Sequence, residues 1–193
     1  MGFAMNATQE AKTGNPFQAE IEETREVTQK NGKLSIRLST GAFWRDAEGR
    51  ERTDSYTLCG QNVGISEIYD PVSKLEFSFD LQSRKVLLKE TIHDASGLRS
   101  FRARTIGSGQ AVAVPNGQPN SEPDLGLKDI EGVTCSGYSL SRPPWKLEWW
   151  YSKELDEVIL IKLTKESEQI VWRLFKISRT NPPSDLFRPS LST

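Results

Sequence analysis

The sequence predicts a mainly β protein with a single curved antiparallel sheet, a half-open barrel of about nine strands, and few or no long helices. Two observations lead to this prediction. Apolar and polar side chains alternate with a period of two in most segments, which is the spacing of a half-buried strand. Turn signals such as Asn-Gly and Asp-Pro separate the segments at hairpin spacing, and no segment reads as a helix of ordinary length.

The first half of the chain is predicted to be a meander of hairpins. A charged, β-branched segment over residues 19–29 precedes Asn31-Gly32, a strong hairpin signal for which we predict a type I′ turn. Asp46–Gly49 predicts the next turn, with Asp first and Gly last. The strand between these turns is predicted to be half-buried, and one of its faces carries Leu34, Ile36, Leu38, Thr40, Ala42 and Trp44.

The cleanest alternation follows the break at Asp70-Pro71, where Leu75, Phe77 and Phe79 are separated by polar residues. In the second half we predict strands over 127–140, 145–151, 158–164 and 170–178. The prolines that follow cannot continue a strand. Leu186 and Phe187 are therefore expected to dock this last segment onto the sheet.

The predicted domain organisation is simple. Residues 1–16 are polar and predict a flexible N-terminal tail, and residues 17–189 predict one β domain, which is long enough to bury a sizeable core. Within this domain, residues 94–124 are rich in Gly, Pro, Asn and Gln. They predict a long mobile loop.

Bulk charge and hydropathy exclude several classes of partner. The formal net charge is −1, from 25 basic and 26 acidic residues, so the basic footprint of a nucleic-acid-binding protein is missing. No apolar run approaches the roughly 18 residues of a transmembrane helix. A secretory signal is not visible in the first residues either.

The sequence contains no recognisable catalytic motif. His93 is the only histidine, and neither a GxSxG motif nor a phosphate-binding loop occurs. No cysteine or histidine spacing predicts a metal site. We therefore predict a protein without catalytic activity, cofactor or metal. A hydrolase with paired carboxylates stays as a minor alternative, and it requires two acids about 5–10 Å apart in a pocket.

The aromatic residues are the most informative group. Trp149 and Trp150 must point to opposite faces of one strand. The aromatic side chains either fill the concavity of the curved sheet or line a cleft for an apolar ligand. The two cysteines, Cys59 and Cys135, likewise have two interpretations. They form one disulfide, or they are two buried free thiols.

Five segments of the chain carry a family resemblance: PFQAEIEETREVTQKNGKLSIRLSTGAFWRDAEGRERTD, IYDPVSKLEFSFDL, DLGLKDIEGVTCSGYSL, LEWWYSKELDEVILIK and RLFKISRTNPPSDLF. In this order they resemble a family of uncharacterised exported proteins common in Acidobacteria. More distantly, 130–138 followed by Trp149-Trp150-Tyr151-Ser152 is similar to the LolA-like superfamily of periplasmic lipoprotein-carrier and sensor domains.

This resemblance implies a half-open antiparallel sheet whose apolar concave side holds acyl chains or a protein partner. It also implies a periplasmic or secreted location, where a Cys59–Cys135 disulfide would form. We therefore predict a non-enzymatic exported or cell-envelope protein that binds an apolar ligand or lipidated partner. From alternation alone, the expected ligand-binding residues are Phe77, Phe79, Trp149 and Trp172.

An alternative function is a protein–protein interaction or scaffold module with a filled core and no ligand. Such a module would use an exposed sheet edge or the 94–124 loop. A filled concavity together with an uncovered edge strand would favour it.

Overall fold

The computed structural model describes residues 15–57, 64–91, 101–106, 110–115 and 122–188. Within these ranges, eleven strands form one antiparallel sheet and two more form a separate hairpin. The sheet strands are β1 (Phe17–Thr28), β2 (Leu34–Arg45), β3 (Glu51–Thr57), β4 (Gly64–Asp70), β5 (Leu75–Asp80), β6 (Val86–Thr91), β9 (Gly126–Ile130), β10 (Val133–Arg142), β11 (Trp145–Ser152), β12 (Glu157–Lys165) and β13 (Glu168–Ser178). The hairpin pairs β7 (Phe101–Ile106) with β8 (Gln110–Pro115), and a 3₁₀ helix spans Ser184–Phe187.

The strand order is β6-β5-β4-β3-β2-β1-β13-β12-β11-β10-β9. Two meanders, β1–β6 and β9–β13, therefore meet where β1 pairs with β13, and β6 and β9 lie at the two edges of a sheet that is not closed. The prediction of a single antiparallel sheet without long helices is confirmed. None of the helices in the described part is long and apolar enough to cross a membrane.

The sheet has eleven strands rather than about nine, and one of the additional strands arises because the segment 127–140 is divided. Glu131 and Gly132 both have positive φ, 54° and 72°, and their turn separates β9 from β10. Within the predicted loop 94–124 the structure has the β7–β8 hairpin. Residues 94–100, 107–109 and 116–121 of that stretch lie outside the described ranges, as do residues 1–14 of the predicted tail.

The first hairpin turn differs from the predicted type I′ geometry. Gln29 and Lys33 are joined by a backbone hydrogen bond of 2.9 Å, so the loop has three residues rather than two. Gly32 has a φ of 78°, whereas Asn31 is not among the residues with positive φ. Three-residue loops of this kind place a glycine in the left-handed region after a type I turn.

Register assigns the sheet side chains to two faces, because directly paired residues point the same way. We call inner the face that carries Phe43, Ile161 and Trp172, and outer the opposite face. The inner face buries the larger core. Its members on this face include Phe17, Ala19, Ile21, Phe43, Tyr138, Leu147, Trp149, Ile161, Leu163, Ile170, Trp172 and Leu174.

One contact shows that the sheet curls toward its inner face. In the strand order β2 and β12 are three spacings apart, about 14 Å in a flat sheet. Arg45 of β2 nevertheless places Nη2 2.5 Å from Oε2 of Glu157, and its Nη1 donates to the Leu155 carbonyl at 2.6 Å. This end of the sheet is therefore curved enough for side chains of β2 and β12 to touch, although two strands lie between them.

A second, smaller core lies on the outer face of the first meander. Ile68 and Phe79 are buried there with Phe187, and the partly buried Leu186 packs against them. The prediction that Leu186 and Phe187 dock the last segment onto the sheet is confirmed. The two cores thus lie on opposite faces of the same sheet.

The expectation that the apolar face of β2 is buried is wrong for the first half of that strand. Leu34, Ile36 and Leu38 do share the outer face, but they are 52%, 59% and 40% exposed. The inner side chains Phe43 and Arg45 are buried instead. Among the described residues, the 180–188 segment packs against the outer face at Trp44 and not at the start of β2.

Candidate functional site

The inner face of the second meander is built in rows that run across the strands. The first is an aromatic row, in which Tyr138, Trp149, Ile161 and Trp172 are paired from β10 to β13. The Tyr138 and Trp149 rings stack with centroids 5.5 Å apart and an angle of 20°. Glu23 of β1 ends the row, and all five side chains are buried. The protein's own side chains therefore fill this part of the concavity.

The next row, toward the strand ends, is aliphatic. Leu140, Leu147, Leu163 and Ile170 are paired across β10 to β13. Only Leu140, on the outermost of these strands, is substantially exposed, at 40%. The inner face thus becomes accessible toward β10 and the ends of the strands.

A groove of about 420 Å³ opens at these strand ends. It lies between the β10–β11 turn and the β12–β13 turn, and Trp145 forms its boundary with the inner core. Lys165 holds its Nζ 5.0 Å from the centre of the Trp145 ring. The groove is lined by Ser141, Pro143, Pro144, Trp145, Lys146, Thr164, Lys165 and Glu166.

Paired charges lie near this groove. Arg25 and Glu168 form an ion pair of 2.5 Å on the inner face, and Lys146 and Glu148 form one of 2.7 Å on the outer face. Lys165 and Glu166 lie at the groove itself. A buried indole nitrogen, Nε1 of Trp149, has no hydrogen-bond partner in the part of the chain that the structure describes. The groove thus combines three apolar side chains, those of Pro143, Pro144 and Trp145, with charged side chains of both signs.

The four predicted ligand-binding residues do not come together. Trp149 and Trp172 lie in the aromatic row of the inner face, but Phe77 and Phe79 belong to the core of the outer face. Trp145 was not among the predicted residues, although it alternates with Leu147 and Trp149 on one strand face. The sequence signal that could have indicated Trp145 as a groove residue is its position at the start of the strand, directly after Pro143-Pro144.

The buried charge cluster of Arg45, Glu51 and Glu157 was also not predicted from the sequence. Arg45 is buried between Glu51 and Glu157, with Nε 2.8 Å from Glu51 Oε1. Its guanidinium lies 5.3 Å from the ring centre of Phe17. Burial lowers the pKa of Arg45, but the two carboxylates outweigh burial and the pKa is raised. Both carboxylates bind one guanidinium, so this group is a structural ion cluster rather than the open acid pair of a hydrolase.

No three histidine, cysteine or carboxylate side chains within the described ranges converge on a point that would hold a metal ion. Cys135 has no disulfide partner among the described residues. It is fully buried, and its Sγ donates to the Val133 carbonyl at 3.4 Å. Cys59 lies outside the described residues, so the Cys59–Cys135 disulfide stays a prediction.

The environment of Cys135 predicts an unreactive thiol. Burial, assisted by Asp129 and Glu154, raises its pKa to about 12. A raised pKa lowers the thiolate fraction, which at pH 8 falls to roughly one in ten thousand. In a Cys59→Ser variant we expect iodoacetamide to modify Cys135 at least about 100-fold more slowly in the folded chain than in denaturant. Equal rates in the two states would contradict the buried position.

Comparison with known proteins yields structural similarity only. No family model matches the chain, and neither does any curated protein. Solved structures do match, and the three described next are between 10% and 14% identical to the chain in sequence.

One similar structure is the MucA/MucB complex of Pseudomonas aeruginosa, at 14% identity and a TM-score of 0.45, where the match covers 93% of this chain and 57% of the other. A LolA superfamily protein from Nitrosomonas europaea matches at 10% identity and a TM-score of 0.43. The match covers 91% of this chain and 90% of the other. A DUF1329 family protein from Desulfovibrio piger matches at 12% identity and a TM-score of 0.36. The match covers 92% of this chain and 91% of the other. The chain spans between 54% and 58% of the length of the MucB-type chains it matches.

Proposed function

We propose that the chain is a non-enzymatic exported or cell-envelope protein that binds an apolar ligand, or the lipid group of a lipidated partner, in the groove between the β10–β11 turn and the β12–β13 turn. The observation that supports this proposal is the groove beside Trp145. This groove is open to solvent, has a volume of about 420 Å³ and places an indole ring beside two prolines. The periplasmic or secreted location rests on the family resemblance of the sequence.

The lining of the groove indicates how an apolar group would bind. Trp149 and Trp172 are buried in the inner core and do not line the groove, so they would not contact the ligand. Trp145, Pro143 and Pro144 would provide the apolar contact area. An apolar group in the groove would cover these three side chains and so gain the free energy of removing them from water.

The proposal is tested with a fluorescent fatty acid titrated into the purified full chain. We expect saturable binding by the native protein and at least a tenfold higher Kd for Trp145→Ala. The matched control is Trp150→Ala, which removes the same side chain from the outer face of the same strand. Thermal melts establish that both variants are folded. Binding that is equal in the two variants, or absent from the native protein, would contradict the proposal.

A second candidate function is binding of a protein partner by strand addition at a sheet edge. The sheet is open, so β6 and β9 each pair with one neighbour within the described part. Leu127 on β9 is 72% exposed and Leu87 on β6 is 54% exposed. Unpaired edges with apolar side chains are templates for another strand. Native mass spectrometry that finds a bare mass, together with no fatty-acid binding, would favour this function.

A further inference from the structure

The outer-face core contains features that are typical of peptide recognition. The segment 180–188, at the end of the described chain, packs there through Leu186 and Phe187. Phe187 is 3% exposed and contacts the cluster that contains Ile68 and Phe79. An aliphatic and an aromatic side chain thus dock as neighbours into a site that β3, β4 and β5 provide.

Two arginines, one in β3 and one in the turn before it, contact the backbone and the ring of this segment. Arg52 donates from Nη1 to the Leu186 carbonyl at 2.9 Å, while Asp54 fixes the same guanidinium through two bonds of 2.8 and 2.9 Å. The Arg50 guanidinium lies 5.3 Å from the centre of the Phe187 ring. A positioned donor for a main-chain carbonyl and a cation over an aromatic ring would recognise any chain with the same two residues.

The segment is attached to the sheet in a way that permits exchange. It follows β13 through Pro182-Pro183 and contributes one 3₁₀ turn, but no strand to the sheet. Its other described polar contacts to the sheet side are single hydrogen bonds, from Gln18 to Thr180, between the Ser178 and Thr180 hydroxyls, and from the Ala47 amide to Asn181. Displacing it would therefore break no strand pairing, so local opening is expected to cost less than unfolding the sheet.

One buried group is left unsatisfied while this segment is bound. Ser66 is paired with Asp54 and Phe79, so it lies on the outer face beside the docked residues. The side chain is fully buried, and its Oγ has no hydrogen-bond partner among the residues that the structure describes. A buried hydroxyl without a partner is costly, and a ligand that supplied one would bind better than the resident segment.

We propose that this outer-face site is a peptide-binding site for a partner protein segment in which an aliphatic residue precedes an aromatic one, and that residues 180–188 are its resident occupant. The partner segment displaces the resident one, placing its aromatic ring under Arg50 and its preceding carbonyl at Arg52. This function is separate from the groove at Trp145, which lies at the other end of the strand order.

The test uses a fluorescein-labelled peptide of sequence TNPPSDLFR and full-length protein. In Phe187→Ala the resident segment can no longer fill the aromatic position, so we expect the peptide to bind at least tenfold more tightly than to the native chain. Adding Arg52→Ala to Phe187→Ala should raise the Kd at least tenfold, whereas adding Arg173→Ala should leave it unchanged. A peptide with alanine in place of phenylalanine should not bind.

The proposal is overturned if folded Phe187→Ala binds the peptide no more tightly than the native chain, or binds the alanine peptide equally well. Circular dichroism and a cooperative melt establish folding. If Phe187→Ala does not fold, a protease site inserted after Asn181 allows the segment to be cut from the folded protein. The cut protein must then bind the added peptide for the proposal to hold. Fatty-acid binding at the Trp145 groove should be the same in all of these variants.

Discussion

Replacing Arg45 by methionine is expected to lower the free energy of unfolding by about 3–5 kcal/mol. The side chain neutralises two buried carboxylates, Glu51 and Glu157, which are 6% and 3% exposed. Methionine is apolar and leaves both carboxylates in the interior without their cation. Because β2 and β12 touch through this side chain, the loss should also loosen the curled end of the sheet.

Urea denaturation followed by tryptophan fluorescence measures this effect. The matched control is Arg173→Met, which breaks the ion pair with Glu22 on the surface, where the arginine side chain is 43% exposed. Exposed pairs contribute up to about 1 kcal/mol, so the control should change stability little. Adding Glu51→Gln and Glu157→Gln to Arg45→Met should recover part of the loss. Equal stabilities of the two methionine variants would contradict a buried ion cluster.

Replacing Gly41 by alanine is expected to destabilise the protein by about 3 kcal/mol or more, or to prevent folding. A Cβ at this position would lie 2.3 Å from the backbone oxygen of Asp54, on the neighbouring strand β3. Backbone oxygen cannot rotate away as the end of a side chain can. The added methyl group must therefore push β2 and β3 apart at the point where their pairing supports both cores.

Gly32→Ala is the matched control for this substitution. Nothing lies within 4 Å of the Cβ that would be added there, but the φ of 78° disfavours alanine. This conformational cost should be about 1 kcal/mol. Chemical denaturation of both variants separates steric overlap from backbone strain. A Gly41→Ala variant as stable as Gly32→Ala would show that the two strands can move apart at little cost.

The period-two pattern predicted the sheet well but did not predict which face each strand buries. Phe77, Phe79, Trp149 and Trp172 all lie in predicted strands, yet the first two lie on the outer face and the last two on the inner face. Alternation fixes relative directions within one strand only. Whether side chains of two distant strands lie on the same face depends on the register of every pairing between those strands. Seven pairings separate β5 from β11.

The coverage of a face depends on segments that are distant in sequence. Leu34 and Trp44 share the outer face of β2, but only Trp44 is reached by the docked 180–188 segment. Arg45 could not be recognised as a buried residue for a similar reason, since its partner Glu157 is 112 positions away. The docking of Phe187 was predictable because an aromatic side chain in a segment that prolines keep out of the sheet can be buried only by packing against the sheet surface.

The meeting of β1 and β13 has a consequence for how the chain is made. Glu22 and Arg173 face each other across this pair and are 151 positions apart, so the pairing waits until almost the whole domain has been synthesised. Until then the first meander presents the twelve-residue strand β1 as an open edge. A nascent chain in this state exposes an unpaired strand to neighbouring nascent chains, so aggregation during synthesis is the hazard that this topology creates.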